Sequence, residues 1–348
     1  MRAGWALLVA VFFRVLRRVY RILSWIDYGL SFFRKPSQIV SVWPETPMVF
    51  GPRIAIFVHF DGQGLVREHT LHYVAALRDA GLSVLFVTNS GKLLPVAMDK
   101  LRPLCAGVLV RRNIGYDFGA MREGLEYLKL PRPDTEMVVI ANDSIYGPLG
   151  PLSDIIARVD FTKADFWGAT DSWQQRYHIQ SYFVAAGPKV LASKAWRDFW
   201  KRVRPVKAKT WVVFRYELGL SQAVVRGGHS VDAIWRYDDL VRNVNQAWLM
   251  EPQANVPTTA EPMIKMRFIH AHRIRHNVAT RTPLNPTSDL WRQLIQAGFP
   301  FIKRELLRDN PTHIADLNDW RDEVRKRFGE VPEAIEHDLR RVMRNRVS

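Results

Sequence analysis

A carboxylate at the end of an apolar run marks the position in this chain best suited to bind a cation. Asn142, Asp143 and Ser144 directly follow the apolar residues 138–141. Magnesium and manganese commonly bridge one or two protein carboxylates and the phosphates of a substrate. Arg111 and Arg112 precede a glycine-containing turn and supply positive charge for a diphosphate. We therefore expect Asp143 to help hold Mg²⁺ or Mn²⁺ beside a phosphorylated ligand.

The elements around these residues predict an α/β domain. Short apolar runs at 54–58, 84–88, 108–110 and 137–141 alternate with helical patterns at 66–78, 96–101, 118–127 and 152–158. Near-continuous apolar strands separated by helices are typical of a parallel sheet covered on both faces. Ligands of such sheets bind beyond the carboxyl ends of the strands. The residues after each strand are therefore the candidates for a binding site.

Four successive strand ends carry polar, glycine-rich turns. Turn chemistry alone explains any one of them, but four together favour a ligand site. The candidates are His59, Asp61, Asn89, Arg112, Asn113, Gly115, Asp117, Asn142 and Asp143. The chain contains no GxGxxG or P-loop, and no GxSxG or HExxH motif, so a classical dinucleotide fold and a P-loop ATPase are not expected.

The charge balance predicts a polyanionic partner. Lys and Arg number 50 against 34 Asp and Glu, a formal charge of +16. Nucleic acid, anionic lipid and a phosphorylated substrate all fit such a surface. The sequence carries no zinc-finger, RRM, KH or basic-zipper signature, and we expect no nucleic-acid partner. A basic nucleic-acid-binding protein is retained as a less favoured alternative.

The first 35 residues predict an amphipathic helix at a membrane surface. Their longest apolar run, 5–13, is shorter than the ~20 residues that a bilayer span needs. On a helical wheel, Arg14, Arg17, Arg18 and Arg21 fall within an arc of roughly 100°, and apolar residues cover the remainder. This pattern is typical of a helix lying in the membrane interface. The alternative is a helix packed on its own domain or on a partner.

Six motifs in order resemble the rhamnan synthesis protein F family, bacterial glycosyltransferases of polysaccharide and lipopolysaccharide assembly. They span residues 112–120, 142–148, 166–172, 178–183, 216–221 and 294–311. The resemblance covers about 53–311, and it implies a GT-A-like fold with a Rossmann-type, mostly parallel sheet flanked by helices. Residues 1–50 are then a membrane-associating segment and linker. Residues 51–311 form the transferase domain, with a nucleotide half (51–160) and an acceptor half (161–311). Residues 312–348 form a charged, solvated helical tail with a break at 329–332 and without assigned chemistry.

The same resemblance implies a function. It implies transfer of a sugar, most plausibly rhamnose from dTDP-L-rhamnose, to a lipid-linked or polysaccharide acceptor. The enzyme would lie peripherally on the cytoplasmic face of the inner membrane, at its anionic surface. The alternative within this fold is a non-catalytic scaffold of polysaccharide assembly.

Roles for individual residues follow from the resemblance. The Asp-x-Asp metal motif of the GT-A fold stands here as Asn142-Asp143-Ser144. One carboxylate is missing, so strict metal dependence is left open, and Asp117 is the candidate for a second ligand. Glu217 resembles the catalytic base of inverting enzymes, with Asp171 as the competing candidate.

Two further regions carry weaker predictions. His178 and Gln180 are candidates for contacts with acceptor hydroxyl groups. The basic segment 265–281 contains His270 and His272, whose spacing would place both on one face of a strand. They would then meet a metal or the diphosphate, unless the segment is simply a basic surface.

Overall fold

The computed structural model describes residues 18–249, 261–314 and 317–347. Its strands lie in one large sheet and one short ribbon. They are β1 (Ile39–Trp43), β2 (Arg53–His59), β3 (Ser83–Thr88), β4 (Gly107–Arg111), β5 (Met137–Asn142), β6 (Ile145–Tyr146), β7 (Phe166–Ser172), β8 (His178–Ile179), β9 (Phe183–Ala186), β10 (Val231–Trp235) and β11 (Ile302–Lys303).

The large sheet has the order β1-β4-β3-β2-β5-β9-β7-β10, with β8 paired to β7. Strands β2, β3, β4 and β5 are mutually parallel, and β10 is parallel to β7. Strand β9 runs antiparallel to both β5 and β7, so β7 points the same way as β5. The carboxyl ends of β2–β5, β7 and β10 therefore meet at one edge, as the sequence predicts for a mostly parallel sheet.

Helices cover both faces of this sheet. They are α1 (residues 18–30), α2 (Glu68–Asp79), α3 (Pro95–Leu101), α4 (Tyr116–Tyr127), α5 (Leu152–Ala157), α6 (Pro188–Leu191), α7 (Lys194–Arg202), α8 (Lys209–Trp211), a π-helix (Val212–Glu217), α9 (Leu218–Arg226), α10 (Tyr237–Leu249), α11 (Pro262–Ala279), α12 (Pro286–Asp289), α13 (Trp291–Gln296), α14 (Arg304–Asp309), α15 (Trp320–Phe328) and α16 (Glu333–Val347).

The strands are buried on both faces, as their continuous apolar sequences require. Ile54 and Ile56 pack into one apolar layer, whereas Ala55 and Phe57 pack into the other. All four side chains are fully buried. The predicted strands and helices between residues 54 and 158 are confirmed, with ends that differ by one or two residues.

The N-terminal region packs against the domain through one face of α1. The Tyr28 ring stacks on Trp211 with 4.4 Å between ring centroids, and Asp27 Oδ2 accepts hydrogen bonds from Lys207 N and Ala208 N. The opposite face exposes apolar side chains that include Ile22 and Ile26. The apolar run 5–13, with Arg14 and Arg17, lies outside the described residues. Strand β1, within the segment expected to be a linker, extends the sheet antiparallel to β4.

Two expectations for the C-terminal half are corrected. His270 and His272 do not lie on a strand, because α11 spans this segment as one helix. The tail has its predicted break between α15 and α16, but it is not merely solvated. Trp320, Val324 and Leu339 pack with Tyr146 in a third apolar cluster. In the described ranges, no helix is both long and apolar enough to cross a bilayer.

Candidate functional site

Asp143 lies at the centre of the polar edge of the sheet. It follows β5, and its backbone N–H donates to Val58 O at 3.1 Å. Its Oδ2 accepts a hydrogen bond from Phe60 N at 3.4 Å and from Arg304 Nη1 at 3.1 Å. Arg304 Nη1 also donates to the carbonyl oxygen of Asp143. A half-buried carboxylate is thus joined to a cation that comes from the far end of the chain.

A second carboxylate reaches the same place from α4. Asn142 Nδ2 donates to Asp117 Oδ2 at 3.3 Å, and Asn142 Oδ1 accepts from Ser144 N at 3.1 Å. Burial, and then the charges of Asp143 and Glu217, raise the pKa of Asp117 to about 7. The amide of Asn142 can donate to Asp117 where a carboxylate would repel it. This contact gives a physical reason for an Asn at the first position of the Asp-x-Asp pattern.

The third carboxylate of this group is Glu217, the last residue of the π-helix. Its Oε1 accepts a hydrogen bond from Ser181 Oγ at 3.0 Å. Its charge is among the causes that raise the pKa of Asp117, so both carboxyl groups lie within electrostatic reach of each other. Short π-helical turns occur frequently at functional sites. We call Asp117, Asp143 and Glu217 the carboxylate cluster.

Gly115 explains how α4 places Asp117. It precedes the helix with φ +86°, in the left-handed region that glycine adopts without strain. A Cβ on Gly115 would lie 3.2 Å from the Gly119 Cα. The turn therefore begins the helix tightly after β4, which puts Asp117 in its first turn.

Arg111 does not face a ligand, which corrects one expectation. It is fully buried, and its Nε and Nη2 bind the Glu123 carboxylate at 3.1 and 3.3 Å. Its Nη2 also donates to Ile114 O, and Nη1 donates to Asn89 Oδ1. The guanidinium thus stabilises the turn from within. Arg112 and Asn113, by contrast, are exposed.

The first strand end supplies a buried histidine and a structured turn. His59 Nδ1 lies 3.1 Å from Thr88 Oγ1, and burial lowers the pKa of His59 despite the nearby Asp143 and Asp61. Asp61 Oδ1 accepts hydrogen bonds from Gln63 N at 2.9 Å and Leu65 N at 3.2 Å. Burial acts to raise the pKa of Asp61, but these hydrogen bonds and Arg67 lower it overall.

Asp171 occupies a separate position on the same edge. It lies on β7, two strands from β5, which corresponds to a lateral separation of about 10 Å. Its Oδ1 accepts a hydrogen bond from Tyr237 N at 2.6 Å, at the start of α10. Burial raises the pKa of Asp171 to about 6, and the nearby carboxylates are Asp238 and Asp232 rather than those of the cluster.

The two acceptor candidates lie beside β7. His178 pairs with Ser172 across the β7–β8 ladder, and its Nδ1 lies 2.8 Å from Arg176 O. Gln180 Oε1 accepts from Thr170 Oγ1 at 2.7 Å, and Gln180 Nε2 donates to Thr287 Oγ1 at 3.4 Å. Both side chains thus have protein partners, and their role in acceptor binding stays a prediction.

The donor atoms suit a metal ion that a ligand shares. Within 18–249, 261–314 and 317–347, no group of three or more His, Cys, Asp or Glu side chains is arranged to hold a metal alone. Asp117 and Asp143 nevertheless repel each other enough to contribute to the raised pKa of Asp117. A cation between them would relieve that repulsion, with phosphate and water as further ligands.

Sequence reasoning did not single out Arg304, which lies at the start of α14. Its Nη2 lies 3.9 Å from Asp338 Oδ2, and its guanidinium lies 5.5 Å from the centre of the Tyr146 ring. Tyr146 donates its hydroxyl to Asp338 Oδ2 at 2.7 Å. The tail helix α16 therefore helps position the cation that binds Asp143. Only the resemblance of segment 294–311 pointed to this region.

The sequence profile of the rhamnan synthesis protein F family matches residues 84–289. Virulence protein VirA of Vibrio anguillarum is 29% identical over 239 residues, which cover 67% of this chain and 72% of VirA. The uncharacterized protein y4gN of Sinorhizobium fredii is 26% identical over 193 residues, 54% of this chain and 50% of y4gN.

Glycosyltransferases are among the solved structures that match part of this chain. The bifunctional glycosyltransferase WbbM in its apo form has a TM-score of 0.34 at 8% identity, over 66% of this chain and 45% of WbbM. The mannosyltransferase PcManGT of Pyrobaculum calidifontis, in complex with GDP-Man and Mn²⁺, has a TM-score of 0.30 at 13% identity, over 88% and 85%. This chain thus spans less than half of WbbM. Because the family profile matches more than half of its length, this chain belongs to the rhamnan synthesis protein F family.

Proposed function

We propose that this protein is a glycosyltransferase that moves a sugar, favoured to be rhamnose from dTDP-L-rhamnose, onto a growing cell-surface polysaccharide or lipopolysaccharide. Membership of the rhamnan synthesis protein F family supports sugar transfer. The observation that carries the proposal is the carboxylate cluster: the charges of Asp143 and Glu217 both act on Asp117, at the edge where ligands of parallel sheets bind.

In this proposal Glu217 is the general base of an inverting transfer. The acceptor hydroxyl oxygen forms a bond to the anomeric carbon of the donor sugar, and the bond from that carbon to the diphosphate oxygen breaks. The hydroxyl proton moves to Glu217, and the nucleoside diphosphate leaves with the electron pair. Ser181 Oγ, at 3.0 Å from Glu217 Oε1, fixes the carboxylate, which suits a base that must be held in one orientation.

Asp143 and Asp117 are proposed to bind the diphosphate side of the donor. Mg²⁺ or Mn²⁺ would supply positive charge for the departing diphosphate. Arg304 already neutralises Asp143 at 3.1 Å and can turn its remaining donors to a phosphate oxygen. Exposed Arg112 offers a further cation at the same edge.

The donor site can be tested by thermal shift and turnover with a panel of nucleotide sugars. We expect dTDP-L-rhamnose with Mn²⁺ to raise the melting temperature most, because a ligand specific to the folded state stabilises it. Asp143→Ala should abolish both that shift and turnover. Asp99→Ala is the matched control, since Asp99 is an exposed carboxylate paired with Arg102.

One observation favours a second candidate, a non-catalytic scaffold of the same fold. Asn142 stands where the metal motif usually has its first carboxylate. A scaffold would bind the nucleotide sugar without turning it over, with or without manganese. Donor hydrolysis or transfer that depends on Glu217 would exclude the scaffold.

We propose a peripheral position on the cytoplasmic face of the inner membrane, through α1. Val19, Ile22, Leu23, Ile26 and Leu30 are each about half exposed on this helix. Replacing Ile22 and Ile26 by Asp should abolish co-sedimentation with vesicles that contain phosphatidylglycerol. A variant with Val49→Asp and Val96→Asp carries the same added charge at exposed positions elsewhere and should still bind.

A further inference from the structure

A large cavity lies between α1, α7 and the π-helix with α9. Its volume is about 1440 Å³, whereas ligand sites for small molecules typically span ~300–1,000 Å³. Tyr216 and Leu218 line it, but Glu217 between them contacts Ser181 instead. None of the three cluster carboxylates lines this space, so the cavity is separate from the proposed transfer site.

The walls of the cavity are aromatic. Trp25 meets Trp211 edge to face with 4.8 Å between ring centroids, and Tyr28 stacks on the same ring at 4.4 Å. Phe199 and Phe214 complete these walls. Such surfaces bind apolar groups through the hydrophobic effect. An apolar part is therefore expected in whatever occupies the cavity.

The rim of the cavity is strongly basic. Five exposed arginines line it, and none forms an ion pair with a carboxylate in the part of the chain that the structure describes: Arg21, Arg176, Arg202, Arg215 and Arg226. Asp198 is the one acidic side chain among the described lining residues, and Lys194 already binds it. Guanidinium groups match phosphate oxygens in geometry as well as charge. The rim therefore fits a phosphate group.

The cavity is bounded by the helix that carries the exposed apolar face. Trp25 and Phe214 line the cavity, and each side chain is half exposed. An apolar chain that leaves the cavity can thus contact these exposed rings. A ligand with a phosphate and one or two apolar chains satisfies the basic rim and the aromatic walls together.

We propose that this cavity binds an anionic phospholipid, with the phosphate against the arginine rim and the acyl chains against the aromatic walls. This binding goes beyond the proposed sugar transfer and does not depend on it. A failed test would leave the transfer proposal unchanged, because the experiment measures lipid binding alone.

Isothermal titration calorimetry of the full-length protein with dihexanoyl phosphatidylglycerol, kept below its micelle concentration, tests the proposal. We expect saturable binding of one lipid per protein. Dihexanoyl phosphatidylcholine and inorganic phosphate should bind at least about tenfold more weakly, since each lacks either the net charge or the chains. Equal binding of any of these probes would overturn the proposal, as would tighter binding of farnesyl phosphate, which would assign the cavity to a prenyl phosphate.

Two double variants distinguish a specific binding site from general attraction to a basic surface. Arg215→Gln with Arg226→Gln should weaken phosphatidylglycerol binding at least about tenfold, as loss of charge-assisted hydrogen bonds predicts. Arg102→Gln with Arg325→Gln removes the same charge from exposed positions away from the cavity and should bind as the wild type does. If both double variants weakened phosphatidylglycerol binding equally, overall charge would explain the effect, and the proposal would be contradicted.

A third variant changes the shape of the cavity without changing its charge. Ala223 lines the cavity and is half-buried, so Ala223→Phe would place a ring inside it. We expect this variant to lose saturable lipid binding. Its melting temperature shows whether it folds, and the arginine pair carries the test if it does not. A folded Ala223→Phe protein with unchanged binding would contradict the proposed location.

Discussion

Two acidic sites lie at the same edge of the sheet, and their buried carboxyl groups have different neighbours. Burial is the largest cause at both Asp117 and Asp171, and it raises their pKa values to about 7 and about 6. At Asp117 the next causes are Asp143 and Glu217, two other candidate site residues. At Asp171 the carboxylate instead accepts the Tyr237 N–H at the start of a helix.

The difference separates a group of candidate site carboxylates that a cation could bind together from a carboxylate held by a backbone N–H at the start of a helix. Mutual repulsion within the carboxylate cluster can be relieved by a cation or by a phosphate-bound metal. The cost at Asp171 comes mainly from burial, and the Tyr237 hydrogen bond offsets part of it. A high pKa alone therefore does not distinguish a catalytic carboxyl group from a structural one, but the identity of its neighbours does.

Turnover gives the largest expected contrast between the two sites. Glu217→Gln preserves the shape of the side chain and an oxygen that can accept from Ser181 Oγ. If Glu217 is the base, this change should lower kcat by about 10²–10⁴-fold with little change in donor affinity. Asp171→Asn should leave kcat nearly unchanged. The opposite result, a slow Asp171→Asn enzyme beside a normal Glu217→Gln enzyme, would move the base to Asp171.

Stability gives the next test, through the raised pKa of Asp171. Its folded-state pKa of about 6 exceeds the usual ~3.9, so the folded protein retains a proton that the unfolded chain loses. The contribution of Asp171 to the free energy of unfolding should therefore fall by about 3 kcal/mol in all, about 2 kcal/mol of it as pH rises from about 4 to about 6, because a tenfold difference in proton affinity corresponds to ~1.4 kcal/mol. Asp171→Asn keeps a side-chain oxygen that can accept the Tyr237 N–H, and it should remove this pH-dependent loss of stability.

Denaturant unfolding at pH 4 and at pH 8 measures this effect. The Asp171→Asn protein should be more stable than the wild type at pH 8, with a much smaller difference at pH 4. Asp99→Asn, at an exposed carboxylate, is the control and should follow the wild type. If the difference in stability between Asp171→Asn and the wild type were the same at pH 4 and at pH 8, a raised pKa of Asp171 would be contradicted.

The strands and helices at the proposed donor-binding edge of the sheet were predictable, because the sequence patterns that indicate them are local. Each strand from β2 to β5 is a continuous apolar run, and each following helix has its own period. His270 and His272 show the limit of such signals. Two residues separated by one alanine fit a strand or a helix, whereas Pro262 at the first turn of α11 was the better indicator of a helix.

The remaining site residues depend on contacts between distant parts of the chain. Arg304 meets Asp143 from 161 positions away, and Tyr146 meets Asp338 from 192. No periodicity encodes such pairs. The burial of Arg111 was likewise hidden, because its partner Glu123 lies within the following helix and reaches Arg111 only once that helix packs on the sheet. Chemistry-bearing residue types were visible in the sequence, but their partners were not.

The affinity for a metal ion should depend on pH through Asp117. A cation competes with the proton on this carboxyl group, so binding of Mn²⁺ with a nucleotide sugar, which has no terminal phosphate that titrates at about pH 6, should strengthen about tenfold for each pH unit below about 7 and level off above about 8. Asp117→Asn should bind more weakly and lose this dependence. Calorimetric titrations between pH 5.5 and 8.5 measure it. A wild-type affinity that is flat over this range would remove Asp117 from the metal site.

The smallest expected effect tests directly whether the carboxyl groups of the cluster act on one another. Replacing Asp143 by Asn removes a neighbouring negative charge, and a like charge close by typically changes a pKa by about one or more. Titration of carboxyl-labelled aspartate by NMR should therefore show the pKa of Asp117 falling by about one in Asp143→Asn, while that of Asp171 stays unchanged. In Asp171→Asn, the pKa of Asp117 should stay where it is in the wild type, because Asp171 is not among its neighbours.

If Asp117 responds equally to both substitutions, the two acidic sites are coupled through the sheet, and the separation between a ligand site and a structural site does not hold. If Asp117 responds to neither, Asp143 does not act on its pKa, and the relief of repulsion between these two carboxylates ceases to be a reason to place the metal there.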